Sequence, residues 1–225
     1  MKKMRVVEIA GNLMQKNDAI ARRLRDRFAE QGTLVVNLLS SPGSGKTTLV
    51  ERTLERLADR YAIAVLVGDQ ATENDARRLS RDGVEVQQIT TGAECRLDAG
   101  MISAALLRWN GRRFDLLIVE NVGNLICPAE YDLGEDLRAV LFSVTEGEDK
   151  PLKYPLAFNT SQVAVITKGD IAQAVGFNRE AALTSIRQVN PNGRVIEVSA
   201  RTGQGLDDWI GLLEERIAAK PVPVA

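Results

Sequence analysis

A chain of 225 residues, 44% hydrophobic and 26% charged, is long enough to bury the core of one sizeable α/β domain, and it has none of the bias of a disordered or fibrous sequence. Its 29 basic and 30 acidic residues leave a net charge of -1, which gives no electrostatic basis for general nucleic-acid binding. Histidine is absent, which excludes His-based acid–base catalysis and His metal ligation. The two cysteines are far apart and form no C-x-x-C. With no secretory signal, they point to a cytoplasmic protein with reduced thiols rather than a disulfide. No apolar run approaches the roughly 20 residues of a membrane span.

Residues 6–31 read as an amphipathic helix: Ile20, Leu24 and Phe28 recur at spacings of four between arginines, and Gly32 supplies a stop. This segment precedes the first sheet strand, so it is expected as a helical extension (1–32) to a domain spanning 33–219. Packing on the same core is its simplest role. Strand 33–39 feeds a Ser/Gly/Pro turn and then a helix over 47–60. The near-continuous apolar run 61–67 has the character of a strand buried on both faces. Thr72 and Asp75 resemble a capping box for a helix over 73–82. Strand 84–89 carries the polar Gln87 and Gln88. Helix 97–110 is expected to bury Leu97, Met101, Ala104 and Ala105 on one face. Strands follow at 114–119, 140–144, 163–166 and 194–198, with helices at about 178–189 and 206–219. Residues 148–161, with Pro151 and Pro155, read as a long irregular connection, and 220–225 as a frayed tail. Alternating strands and helices imply crossover connections and an α/β, mostly parallel, doubly wound sheet. In such a sheet the ligand site lies at the strand carboxyl ends. Lys46, Asp69, Cys95, Glu120, Cys127 and Asp170 are therefore expected along one edge.

The chemistry concentrates at Ser40-Ser41-Pro42-Gly43-Ser44-Gly45-Lys46-Thr47-Thr48, a strand–loop–helix of P-loop form. Small residues let backbone N–H groups from Ser41 to Thr48 turn toward phosphate oxygens at a helix N-terminus. Lys46 then reaches the β- and γ-phosphates, and the Thr47 hydroxyl holds Mg²⁺. Ser40 stands where the strict pattern has its first Gly. At the end of the 114–119 strand, Glu120 is placed as a Mg²⁺ ligand, direct or through water, and Gly123 offers an N–H to the γ-phosphate. Asp69 is either a third Mg²⁺ or water-orienting group or an ordinary helix cap. Thr167-Lys168-Gly169-Asp170 resembles the Asn-Lys-x-Asp base-reading motif of GTPases. There Asp170 accepts from guanine N1–H and N2–H₂, and Lys168 lies over the base. Ser199-Ala200-Arg201 matches the second base-reading loop, in which the Ala200 N–H meets guanine O6. Cys95 and Cys127 fall in polar loops at strand ends. They read either as buried, inert thiols or as two donors of a metal site that needs more, such as a two-fold dimer would supply.

Five ordered stretches together resemble the HypB family of GTPases, which support nickel insertion in [NiFe]-hydrogenase maturation. They are the P-loop, Gly68-Asp69-Gln70-Ala71-Thr72-Glu73-Asn74-Asp75-Ala76, Thr91-Gly92-Ala93-Glu94-Cys95-Arg96-Leu97-Asp98-Ala99, Glu120-Asn121-Val122-Gly123-Asn124-Leu125-Ile126-Cys127-Pro128, and Ser143-Val144-Thr145-Glu146-Gly147 with Lys150-Pro151-Leu152-Lys153-Tyr154-Pro155. The resemblance implies a three-layer P-loop NTPase fold of the SIMIBI (signal-recognition-particle/MinD) class, slow Mg²⁺-dependent hydrolysis of GTP and a GTP-promoted homodimer. It also implies a Ni²⁺ or Zn²⁺ site at Cys95 and Cys127, with a HypA-type nickel metallochaperone and the hydrogenase large-subunit precursor as partners. Three departures stand out. The family's Cys-His pair reads Cys95-Arg96, its Asn-Lys-x-Asp reads Thr167-Lys168-Gly169-Asp170, and the Cys- or His-rich N-terminal metal-binding stretch of some members is not in this sequence. The competing readings are a UreG-like urease accessory GTPase, whose Cys-Pro-His motif this sequence lacks, and a nickel or zinc storage protein on a nucleotide-binding scaffold.

Overall fold

The fold is a computed structural model that describes residues 9–70 and 74–221. Helix α1 (Ile9–Gln31) leads into strand β1 (Leu34–Ser40) and helix α2 (Lys46–Leu57). Strand β2 (Ile63–Asp69), α3 (Asn74–Leu79), β3 (Val84–Thr90), α4 (Ala99–Leu106) and β4 (Leu116–Glu120) follow. Then come β5 (Leu137–Ser143), α5 (Lys150–Lys153), α6 (Pro155–Asn159) and β6 (Val163–Thr167), and finally α7 (Arg179–Val189), β7 (Arg194–Glu197) and α8 (Leu206–Ala218). The seven strands are all parallel, in the order β3-β2-β4-β1-β5-β6-β7. β1 stands at the centre, and the chain winds outward from it in both directions. That arrangement opens a crevice at the carboxyl ends, where the P-loop leaves β1.

Alternation along β1 sorts the two faces of the sheet. Leu34, Val36 and Leu38 pack with Leu49, Val50, Leu54 and Leu57 of α2 and with Trp209 and Leu213 of α8. Val35 faces the other way, against Ala21, Leu24 and Phe28 of α1 and Ile102 and Ala105 of α4. Leu39 joins a third cluster with Phe142, Phe158 and Ile186 under α6 and α7. The result is three layers, with helices on both sheet faces. The first helix therefore shares the core; Arg22 and Arg23 face outward, while half-buried Arg25 pairs with Asp132 at 2.6 Å. Edge strand β3 is only partly buried throughout, which accounts for its glutamines. No helix among the described residues is long and apolar enough to cross a membrane.

Three local expectations change. Residues 148–161 are not irregular: α5 and α6 form there, each with its proline in the first turn, where the missing N–H costs nothing. The fourth helix is shorter than 97–110. Asp98 caps it by accepting from the Met101 N–H at 2.8 Å, Leu97 lies buried ahead of it, and Ala104 is exposed while Ile102 takes the inward position. Only Asn74–Leu79 of 73–82 is helical among the described residues. Thr72 of the expected capping box and the 222–225 tail lie outside them.

Candidate functional site: a phosphate and base cleft beside a paired-cysteine loop

Leu49, Val50, Leu54 and Leu57 drive the inner face of α2 onto the sheet, and this fixes where its N-terminus points. Gly43 and Gly45 carry the turn before it with φ of 73° and 98°, values that a side chain would strain. Lys46 is buried, and its Nζ donates to Ser40 Oγ at 2.7 Å. Ser40 thus does more than tolerate the first P-loop position: its hydroxyl holds the lysine ready. Burial pulls the Lys46 pKa down, and the nearby Glu120 carboxylate acts in the opposite direction.

Thr47 Oγ1 donates to Glu120 Oε1 at 2.6 Å. Glu120 is 3% exposed, and burial raises its pKa to about 7 against the opposing Thr47 hydrogen bond and Lys46 charge. Its second oxygen, Oε2, is buried with no hydrogen-bond partner among the described residues. An orphaned carboxylate oxygen beside a threonine hydroxyl is a hard-oxygen donor set of the kind Mg²⁺ takes, with the remaining positions left to phosphate and water. Asp69 lines the same cleft, and its Oδ1 accepts from the Gln70 N–H at 2.6 Å. Gly123 approaches the P-loop so closely that a Cβ there would lie 3.1 Å from Pro42 Cγ and 3.2 Å from Pro42 Cα.

The motifs expected to read the base line a cavity of about 260 Å³, with Thr48, Leu49, Lys168, Asp170, Ala200 and Arg201 around it. Asp170 Oδ1 accepts from Ser199 Oγ at 2.7 Å, and its Oδ2 lies 3.9 Å from Arg201 Nε. Lys168 adopts φ of 60°, a rare conformation for a side-chain-bearing residue, and sends its Nζ to the Gly43 carbonyl at 2.7 Å. Thr167 Oγ1 donates to the Ser44 carbonyl at 2.6 Å. Thr167, the first residue of the Thr167-Lys168-Gly169-Asp170 stretch, therefore ties its loop to the P-loop. The sequence reading missed Arg52, whose Nε holds the Ala200 carbonyl at 2.8 Å across 148 residues of chain. The available signal was helical spacing: Thr48 and Arg52 are i and i+4 on α2. Asp75 and Arg78 of α3 also line the phosphate cleft, and nothing in local sequence marked Arg78.

The expected edge is present, but the cysteines differ from expectation in one respect. Cys95 and Cys127 are joined as a disulfide, with Cα atoms 6.2 Å apart, and are not the free thiols predicted from composition. The topology explains their meeting. β3 and β4 both flank β2, and the loops that leave their carboxyl ends run over the same edge. Asn121 then draws these loops together: its Oδ1 accepts from the N–H groups of Leu97 at 3.1 Å and Val122 at 2.9 Å. Its Nδ2 donates to Asn37 Oδ1 at 3.2 Å. Asn124 forms a backbone bridge to Ser40 and reaches the Cys95 carbonyl at 3.4 Å. Arg96 has its guanidinium carbon 4.0 Å from the centre of the Tyr131 ring and pairs with Glu94 at 2.9 Å. Among the described residues no cluster of three His, Cys, Asp or Glu could close a metal site.

A parallel sheet with a Gly-Lys-Thr helix start, a buried carboxylate on its threonine and a carboxylate-bearing base pocket defines a P-loop nucleotide-binding protein of the SIMIBI class. The CobW/HypB/UreG nucleotide-binding domain model matches residues 34–197. The hydrogenase maturation factor HypB of Azotobacter vinelandii is 46% identical over 94% of this chain and 70% of its own length. The solved structure of HypB from Helicobacter pylori in complex with nickel is 37% identical with a TM-score of 0.84, over 93% of this chain and 99% of that one. The signal recognition particle 54 kDa protein of Aeropyrum pernix, in complex with GDP, shares the fold alone: 17% identity and a TM-score of 0.57 over 83% of this chain and 49% of that one. The chain belongs to the HypB family of hydrogenase maturation factors.

Proposed function

We infer that this protein is a GTP-hydrolysing switch that serves nickel insertion into the [NiFe]-hydrogenase precursor. The observation that carries the inference is the convergence of the Lys46–Ser40, Thr47–Glu120 and Asp170–Ser199 pairs on one continuous cleft. Backbone N–H groups of Ser41 to Thr48 hold the phosphates. Lys46 exchanges its serine hydroxyl for a phosphate oxygen, a stronger charge-assisted contact. Asp170 reads guanine N1–H and N2–H₂, the Ala200 N–H meets O6, and Lys168 covers the base. Thr47 and Glu120, with Asp69 nearby, would hold Mg²⁺, which when bound neutralises charge on the β- and γ-phosphates. Gly123 reports the γ-phosphate to the loop that ends at Cys127. Turnover is slow, and GTP favours a homodimer.

Nickel is the cargo of this reading. A disulfide offers no thiolate, so Cys95 and Cys127 serve as nickel or zinc donors only after reduction, and a second copy of the chain would double the two sulfurs to four. A HypA-type metallochaperone and the hydrogenase precursor are the proposed partners, and the cytoplasm, which keeps thiols reduced, is the proposed compartment. The decisive experiment is GTP hydrolysis and guanine-nucleotide affinity for the parent and Lys46→Ala. Loss of at least about 100-fold in phosphate-dependent affinity or turnover is expected from a buried phosphate lysine. Full activity in the variant would sink the GTPase reading.

A further inference from the structure

Arg78 is the one arginine that lines the phosphate cleft among the described residues, and the mechanism above leaves it unused. It stands on α3, with Nη2 2.6 Å from Glu51 Oε2 and 3.5 Å from Thr48 Oγ1. Nε is 3.3 Å from Glu51 Oε1, and Nη1 is 3.9 Å from Asp75 Oδ1. Thr48 is the third residue of α2, inside the first turn whose free N–H groups face phosphate. The guanidinium therefore waits beside the phosphate seat, held by a carboxylate on the neighbouring helix. It is also electrically part of the cleft, since its charge helps stabilise the Glu120 carboxylate. The Arg78 side chain is 47% exposed, so its pairing with Glu51 is partly screened and exchangeable.

We propose that Arg78 is a catalytic residue of GTP hydrolysis: when nucleotide binds, its guanidinium leaves Glu51 for the phosphate chain and supplies positive charge from within the same chain. A polyphosphate carries several charges where Glu51 carries one, and the planar fork of arginine can address two phosphate oxygens at once. In the step itself, the oxygen of water bonds to the γ-phosphorus and the bond to the β–γ bridging oxygen breaks. The electron pair of that bond stays with GDP, and the proton of the water passes to phosphate. Arg78 forms and breaks no covalent bond. It stabilises the negative charge that shifts onto the phosphoryl and leaving oxygens.

The proposal rests on the GTPase reading, and the experiment separates the two. Single-turnover GTP hydrolysis and GDP affinity are measured for the parent, Lys46→Ala, Arg78→Ala, Arg78→Lys and Glu51→Gln. A parent rate no higher than that of Lys46→Ala would end the GTPase reading and the proposal with it. Given parent turnover, Arg78→Ala is expected to hydrolyse at least tenfold more slowly, with GDP affinity within threefold. Arg78→Lys keeps the charge but loses the fork, and is expected to stay at least fivefold slow. Glu51→Gln is the discriminating variant. If Arg78 only tethers α3 to α2, losing either partner does the same damage. If Arg78 serves the phosphates, releasing it leaves turnover at or above the parent rate. Arg78→Ala within twofold of parent, a Glu51→Gln loss equal to that of Arg78→Ala, or a loss confined to affinity would each overturn the proposal.

Discussion

The nucleotide cleft and the cysteine-bearing loops lie side by side on one edge of the sheet, but they are held in place by different means. The cleft is set mainly by backbone: a turn between a central strand and a packed helix, with Lys46, Thr167, Lys168 and Asp170 locked onto main-chain or hydroxyl partners. Its shape exists before any ligand arrives. The cysteine region comprises two loops whose relation depends on two side-chain amides, Asn121 and Asn124, and one covalent bond, Cys95–Cys127. Sites made of main chain are preorganised, whereas sites made of loop side chains change with redox state and neighbours. The two regions are also connected: Asn124 touches both the P-loop strand and the Cys95 loop, and Gly123 abuts Pro42.

Cutting the covalent tie separates the two regions most strongly. The disulfide spans 32 residues, and a loop of that length is worth about 3–4 kcal/mol of stability in the chain-entropy account. Cys95→Ser is therefore expected to lower the denaturant midpoint in oxidising buffer and to match the parent once reductant is present. GDP affinity should not move, because the cleft does not depend on the tie. Equal stability in both buffers would remove the disulfide as a feature of the protein in solution.

The next largest effect belongs to the cleft and depends on pH. Burial raises Glu120 to about 7 from an ordinary 4.5, so the native state keeps a proton that the unfolded chain has released between those values. Stability of the nucleotide-free, Mg²⁺-free protein then falls as pH rises from about 4.5 to 7, reaching a cost of about 3 kcal/mol above that range. Glu120→Gln should flatten this slope and melt higher than the parent at pH 8. A variant with the parent's pH profile would contradict it.

Asn121→Ala tests the linkage between the regions. It strands the Leu97 N–H and the Asn37 side chain in the core, at about 2 kcal/mol. Hydrogen exchange is expected to rise in residues 91–98 while the P-loop stays protected, whereas an unchanged 91–98 loop would show that Asn121 does not hold the two loops together. The smallest effect is that of Arg52→Ala, which frees the Ala200 carbonyl. It should weaken guanine-nucleotide affinity by roughly fivefold, with inorganic phosphate binding unchanged. Calorimetry with GDP and with phosphate separates the two.

Much of this was legible in the chain. The apolar run 61–67, the Ser/Gly turn before Lys46 and the Glu120-Asn121-Val122-Gly123 element are local patterns, and local patterns fix strands, turns and helix starts. The proline-bearing stretch 148–161 misled because proline ends a helix in its interior but starts one in its first turn.

The alternating α/β order, the strand-end location of the site and the phosphate and base motifs can be read along the chain, because each depends on residues within one or two elements. Which distant groups meet depends on how the strands and helices pack. Thr167 serves Ser44 across 123 residues, and Cys127 finds Cys95 rather than remaining a free thiol. Arg78 reaches Thr48 and Glu51 on the helix that follows the P-loop. The order of strands in the sheet sets these encounters, and strand order arises from the packing of the whole chain, beyond the reach of any periodicity within it.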